Sequence, residues 1–506
     1  MKRFLWVLLI LPLAATYAQP FVFVESDIPP VMQASAAWTD YNKDGKQDIY
    51  LCGNIYSANQ LLIKSGLYRN DGTGGFSGVK ANLPELYMAA QDWKDIDKDG
   101  DDDLLISGED ARAKLLAGIY LNHGKGSFQK LSSTLSPVRN GSVRWGDYDA
   151  DGDQDILLCG ESKNGRLVTA VYRNNGNNSF SETDTPLAPV HHGQAIWADI
   201  DNDKDLDILL SGIGNEHRGI TKLYRNDGGS GFIETGFPAE GMKHTSVASA
   251  DFNNDGWTDL ILSGETSDNE TTCIIYRNDG KGSFTRLATN IPGTISGNID
   301  LADFDRDGDT DLVISGETPE GSVTKIFSNK GNMRFEDIYA GLPGISLGGA
   351  YWGDPDGDGL MDIFLAGLDN CYDFTAKLFM NDAGHPIADK EEATPDGSGM
   401  WSTTELNVKR KSYYYFVYSS CNCDPFNENE IAFHAFVGNI HYSPEKYQLI
   451  IKFNSIIRQN VTAWPRVDKG NRTSVGYKTL EEARYARQKV IREYEGEGFT
   501  VHFVEW

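Results

Sequence analysis

At 506 residues the chain exceeds one ordinary core, so two domains are expected before any motif is read. A formal net charge of −27 repels phosphate backbones and excludes a nucleic-acid partner. Six cysteines in this length are too few for a disulfide framework, and Cys52 and Cys159, which share one position in different repeats, read as small core residues.

The chain opens with Lys2-Arg3, an apolar run from Phe4 to Ala15, and Thr16-Tyr17-Ala18 with small residues where a signal peptidase reads. Residues 1–18 are therefore expected to be a cleaved export signal, since the run falls short of the ~20 residues a spanning helix needs. Gln19 follows the cut in place of a lipidated Cys, and no later segment is apolar enough to span a bilayer. The expected product is exported (secreted, periplasmic or cell-surface associated), monomeric and without a transmembrane segment.

From residue 40 one motif recurs seven times, at intervals of 51 to 55 residues, which means repeated structural units. Oxygen side chains stand at its positions 1, 3, 5 and 9. These are Asp40, Asn42, Asp44 and Asp48; Asp95, Asp97, Asp99 and Asp103; Asp147, Asp149, Asp151 and Asp155; Asp199, Asp201, Asp203 and Asp207; Asp251, Asn253, Asp255 and Asp259; Asp303, Asp305, Asp307 and Asp311; and Asp354, Asp356, Asp358 and Asp362. Oxygen donors without Cys or His select a hard cation, and this many carboxylates favour calcium, up to one ion per unit. Glycine usually holds position 6, where a tight loop needs a turn that a Cβ hinders. Lys204 takes that place in the fourth copy, which is expected to be the weakest site.

No helix signal flanks these loops, and position 9 runs straight into short apolar segments such as Asp155-Ile-Leu-Leu, which read as buried strands. A Phe stands 19 residues before each first Asp (Phe21, Phe76, Phe128, Phe180, Phe232, Phe284, Phe335), and an Asn followed by a Gly-rich turn precedes the Phe by six, as at Asn70 and Asn226. One unit is thus strand, metal loop, strand, variable loop, strand, Gly turn, strand. Seven units of four antiparallel strands describe an all-β seven-bladed propeller over residues 19–384. Phe21 has no third strand before it, and the seventh unit ends near Asp382 without its Phe, so the N-terminal strand is expected to complete the last blade and remove an open edge.

Over residues 21–384 these in-register loops resemble the FG-GAP and VCBS repeat class, which includes the integrin alpha-subunit head, some secreted fungal lectins and many exported bacterial proteins. The resemblance implies a calcium-binding propeller. Residues 385–404 turn polar and read as a linker. Residues 405–506, with 14 Lys/Arg against 12 Asp/Glu, read as a small α+β domain. Its strands are expected at Tyr413–Tyr418, Ile431–Val437, Gln448–Phe453 and Phe499–Trp506, and its helix from a capping box at Thr479–Glu482.

No catalytic constellation stands out. His191, His192 and His244 fall in segments joining one blade to the next and read as surface residues. Strand order puts the variable loops between strands 2 and 3 on the face opposite the metal loops, and divergent loops on a constant scaffold suit recognition. The first is the longest, and Tyr56, Asn59 and Gln60 are its candidate ligand-binding residues. The expected function is recognition or adhesion toward an extracellular protein or glycan. The alternative is a secreted carbohydrate-active enzyme, because some polysaccharide lyases use related calcium propellers.

Overall fold

The computed structural model describes residues 21–381 apart from 58–59, 73, 229–230 and 371–372, together with short pieces between 413 and 504. The export signal and the linker fall outside the described residues.

Each middle strand is apolar on both sides because it sits inside a blade with blades packed against both faces. Asp103–Glu109 and Asp207–Ile213 are buried at every residue. Blade 1 has Met32–Thr39, Asp48–Ser57, Gly66–Asn70 and Phe76–Val79, with Gln60–Ile63 hairpinned onto its second strand. Blades 2 to 6 lie within residues 87–130, 139–182, 191–234, 243–288 and 299–337, each an antiparallel sheet in chain order. Blade 7 takes Ile345–Gly353, Asp362–Asp369 and Phe374–Asn381 from the far end of the repeats, and its fourth strand is Phe21–Val24. Phe21 pairs with Asn381 in the register that pairs Phe76 with Asn70 and Phe128 with Asn122. The ring is therefore closed by the strand the sequence assigned to it.

Seven apolar clusters fill the structure, and each lies at a joint between adjoining blades. Ile49, Leu51, Phe364 and Leu378 form part of the one that joins blade 7 to blade 1. The recurring Phe has a reason here. It packs on a Trp two residues before the loop, with ring centroids 5.9–6.2 Å apart in five blades, as for Trp93 with Phe128 and Trp145 with Phe180. Cys52 and Cys159 are buried and free, as the sequence suggested.

Innermost strands are stapled by side chains. Gln91 Nε2 donates to Ser35 O, Asp92 accepts from Trp145 N at 2.7 Å, Ser142 Oγ exchanges bonds with both main-chain groups of Ala195, and Asn298 does the same with Ala350. They enclose an axial cavity of about 490 Å³ lined by all seven blades, with Asp92, Arg144 and Asp300 as its charges.

Beyond the propeller, Val417–Cys421, His434–Gly438, Arg472–Thr473 and Thr500–Val504 form a sheet in which the last strand runs parallel to His434–Gly438. Tyr413–Tyr415 pairs with His441–Ser443. Of the expected helix, the described positions 487, 489, 491 and 492 are helical. Gln448–Phe453 lies outside the described residues. Among the described residues, no helix is long and apolar enough to cross a membrane.

Candidate metal loops and the opposite face

A loop that must turn back on itself within nine residues needs its side chains to cap its own amides. All seven loops do this identically. The position 6 N–H donates to Oδ2 of position 1, from Gly45 to Asp40 at 2.9 Å through to Gly359 to Asp354 at 2.9 Å. The position 7 N–H donates to Oδ1 of position 5, as Lys46 does to Asp44 and Leu360 to Asp358. Position 6 has φ between +78° and +90° throughout, so glycine is the unstrained residue there, and Lys204 at +78° is the strained one. Its amide bond to Asp199, at 3.2 Å, is the longest of the seven.

The position 9 aspartates are buried to within 1% in every blade. Their Oδ1 accepts the main-chain N–H of the recurring Asn at 2.6–2.7 Å, which explains why Asn and Asp loop recur together. In six blades that Asn also donates Nδ2 to the position 2 carbonyl of the preceding loop, as Asn122 does to Tyr41 O and Asn278 to Ile200 O. Successive loops are thereby tied to one another.

In five loops the other oxygen of position 9 accepts the position 2 N–H, as Asp103 does from Ile96, but eight further loop oxygens have no partner. Oδ1 of Asp95, Asp147, Asp149, Asp199, Asp201 and Asp354, and Oδ2 of Asp48 and Asp362, are buried and receive no hydrogen bond. In five loops three carboxylates bring oxygens within 4.8 Å of one another: Asp95, Asp97 and Asp99; Asp147, Asp149 and Asp155; Asp199, Asp201 and Asp203; Asp303, Asp305 and Asp311; and Asp354, Asp356 and Asp362. The other two loops have Asn42 or Asn253 at position 3, which contributes an amide oxygen in place of a carboxylate. Burial, then the neighbouring loop carboxylates, pushes position 9 far above the carboxylate range, to about 7 at Asp155 and about 8 at Asp362. Buried, convergent, unpaired oxygens are what a hard cation compensates, so these residues fit such an ion. In the third loop a cation of the chain already leans on the site, with Arg173 Nε 2.8 Å from Asp149 and Nη2 3.3 Å from Asp151.

At the opposite face the structure shows what the sequence reading missed. Seven residues before each first Asp the chain carries a left-handed residue that is never glycine: Gln33, Met88, Asn140, His192, His244, Ser296 and Leu347, with φ from +46° to +56°. In six blades the strand register shifts at this point, which marks a β-bulge. The bulge rests on a glycine of the second strand, where any Cβ would collide. On Gly160 it would stand 2.8 Å from Arg139 O, and on Gly316 2.6 Å from Ile295 O. The only sequence signal was that glycine, present after every buried run.

In five blades these residues directly precede small ones that line the axial cavity, namely Ala34, Ala89, Gly141, Gly297 and Gly348. Neighbouring members touch: Leu347 N donates to Ser296 O at 2.7 Å, and the His192 and His244 rings lie 5.1 Å apart. The three histidines are thus half-buried members of innermost strands, which corrects their placement in exposed connectors. Beside them Arg139 pairs with both Glu109 and Glu161, and Tyr87 Oη donates to Glu109 at 2.7 Å. Tyr56 is 55% exposed in the added hairpin, where Ser57 pairs with Gln60. Asn59 lies outside the described residues.

A model of the FG-GAP-like repeat matches residues 95–158, 147–210, 199–262, 251–314 and 303–365. Cartilage acidic protein 1 of Mus musculus is 26% identical over 180 residues, and the match spans 32% of this chain and 27% of that protein. Among solved structures, AofleA from Arthrobotrys oligospora is 12% identical with a TM-score of 0.35, covering 62% of this chain and 88% of its own. A variant of Aleuria aurantia lectin in complex with alpha-methyl-L-fucoside is 11% identical with a TM-score of 0.36, covering 62% and 99%.

Proposed function

The chain belongs to the FG-GAP-like repeat family, and from that premise we propose that it is an exported, calcium-loaded propeller that recognises a protein or carbohydrate ligand without transforming it. The observation that carries this reading is the ring of seven left-handed residues. A backbone conformation that costs energy is held in every blade, while the side chain placed on it differs, running from amide to thioether to imidazole to hydroxyl to aliphatic. Constant geometry with divergent chemistry next to the lining of a cavity, beside loops of unequal length, is the layout of a binding surface.

Calcium would be held by the 28 loop positions and would act structurally. It would neutralise carboxylates that otherwise repel, and fix the turns that join strands 1 and 2. Residues 1–18 are assigned as the export signal, 19–384 as the propeller, 385–404 as the linker and 405–506 as an accessory domain.

Glycan and protein arrays probed with the calcium-loaded protein test the reading. Replacing Tyr56 and Gln60 by Ala should weaken binding of the recovered ligand at least tenfold and leave calcium-dependent melting unchanged. Ligand binding that survives this change, and is lost instead on altering side chains of the calcium-loop face, would reverse the assignment of faces. Shortened glycan products after incubation would replace it with the enzyme reading.

A further inference from the structure

Most polar side chains that line the axial cavity are committed to the protein itself. Gln91, Asp92, Ser142, Asn298 and Asp300 all bond to main chain, mostly of the adjoining blade. Arg144 is different. Among the described residues its one hydrogen bond runs from Nη1 to Val143 O of its own strand, at 3.0 Å, and it forms no ion pair. Most of the five donors of a guanidinium are thus unclaimed, inside a cavity of about 490 Å³. Gln194 likewise engages only Oε1, which accepts from Val247 N at 3.0 Å, and leaves Nε2 open.

Acceptors stand with these donors. Asp92 accepts from Trp93 N and Trp145 N, and Asp300 from Leu301 N and Trp352 N, so each carboxylate keeps about two of its roughly four lone-pair sites. Burial raises both carboxyls, and the Arg144 charge is among the influences that draw them back down, so the guanidinium lies within electrostatic reach of both without a direct pair.

We propose that the axial cavity receives the neutral end of a glycan, a terminal hexose, with Arg144 and Gln194 donating to its hydroxyl oxygens and Asp92 and Asp300 accepting from its hydroxyl groups. This rests on the recognition reading above and gives it a ligand class and a place. A hydroxyl both donates and accepts, and so it satisfies guanidinium, amide and carboxylate alike. An anionic ligand would meet two buried carboxylates and a cationic one the guanidinium, whereas a neutral sugar meets neither repulsion. The volume falls among the about 300–1,000 Å³ of small-molecule sites. Arg144 stands three residues along its strand from Gly141, roughly 10 Å of strand, so a chain end can reach it and the middle of a polymer cannot. The residues at the outer end of the lining, Ala34, Ala89, Gly141, Gly297 and Gly348, are small and leave the approach open.

The test titrates methyl hexosides into the calcium-loaded full chain by calorimetry and saturation-transfer NMR, with a methyl hexuronide and a methyl aminohexoside alongside. The expected result is one site per chain for at least one neutral hexoside, at millimolar affinity or better, and weaker binding of both charged sugars. Arg144→Ile installs the residue that blade 4 carries there as Ile196, and should weaken binding at least tenfold while calcium-dependent melting stays the same. Ala37→Tyr fills the cavity with the side chain that blade 7 carries there as Tyr351, and should abolish binding. Should either variant fail to fold, the other decides. No binding of a neutral hexoside, preference for a charged one, or affinity untouched by the variants would overturn the proposal. An array ligand that both variants still bind, but that is lost on replacing Tyr56 and Gln60, would overturn this proposal alone and leave the recognition reading standing.

Discussion

Lys204 is the one side chain among seven that occupies the sixth loop position in place of glycine, at φ +78°. A non-glycine residue in the left-handed region costs roughly 1–2 kcal/mol, part of which is offset because glycine loses more entropy on folding. Lys204→Gly should therefore stabilise the calcium-loaded protein by up to about 1 kcal/mol and tighten calcium binding in the fourth loop. Denaturant midpoints at constant slope measure the first effect; an unchanged or lower midpoint would show that the loop has relaxed around the lysine. The sequence disclosed this position because a fixed spacing made the exception visible. The bulge residues were not legible in the same way. Gln33, Met88, Asn140, His192, His244, Ser296 and Leu347 share a backbone angle and no chemistry, so residue type could not reveal them.

The nine-residue loop titrates as one element. In the metal-free protein the position 9 carboxyls stand at about 6 to 8, from Asp259 to Asp362, against an ordinary 3.8, chiefly through burial. Their folded values lie above their unfolded ones, so the stability they contribute is complete below about pH 4 and is lost as pH rises through 6 to 8. In EDTA the melting midpoint should therefore climb by several degrees as pH falls from 8 to 5. With saturating calcium the dependence should be weaker or inverted, because bound cation holds the carboxylates ionised and protons compete with it. Parallel slopes in the two series would mean that these aspartates do not hold the ion. Loops and strands were readable in advance because periodic Asp, Asn and Phe encode them directly. The ties between loops through Asn122 and Asn278 were not, since they join residues distant in sequence.

For the whole molecule, the seven joint-filling clusters make stability a property of the closed ring. Phe21–Val24 covers Leu378–Asn381 and puts Phe21 against Phe304 and Trp352. Deleting residues 19–25 should expose that edge, lower the melting point well below that of the intact protein and promote aggregation, as measured by light scattering during a thermal ramp. A truncated protein as soluble and stable as the parent would show that the strand is ornamental.

Ring closure also sets the order of events in time. The Phe21–Val24 strand is synthesised before every other strand of the propeller, yet its partner, Phe374–Asn381, is the last strand of the repeats to be made. It must wait, unpaired, through the folding of six blades, and the final contact of the propeller is also its most distant in sequence. A chain interrupted before blade 7 is complete leaves an orphan strand at one end and an unfinished sheet at the other. Both edges are then open to non-native pairing with other chains, so incomplete chains are the ones prone to associate, while in finished ones both edges are covered.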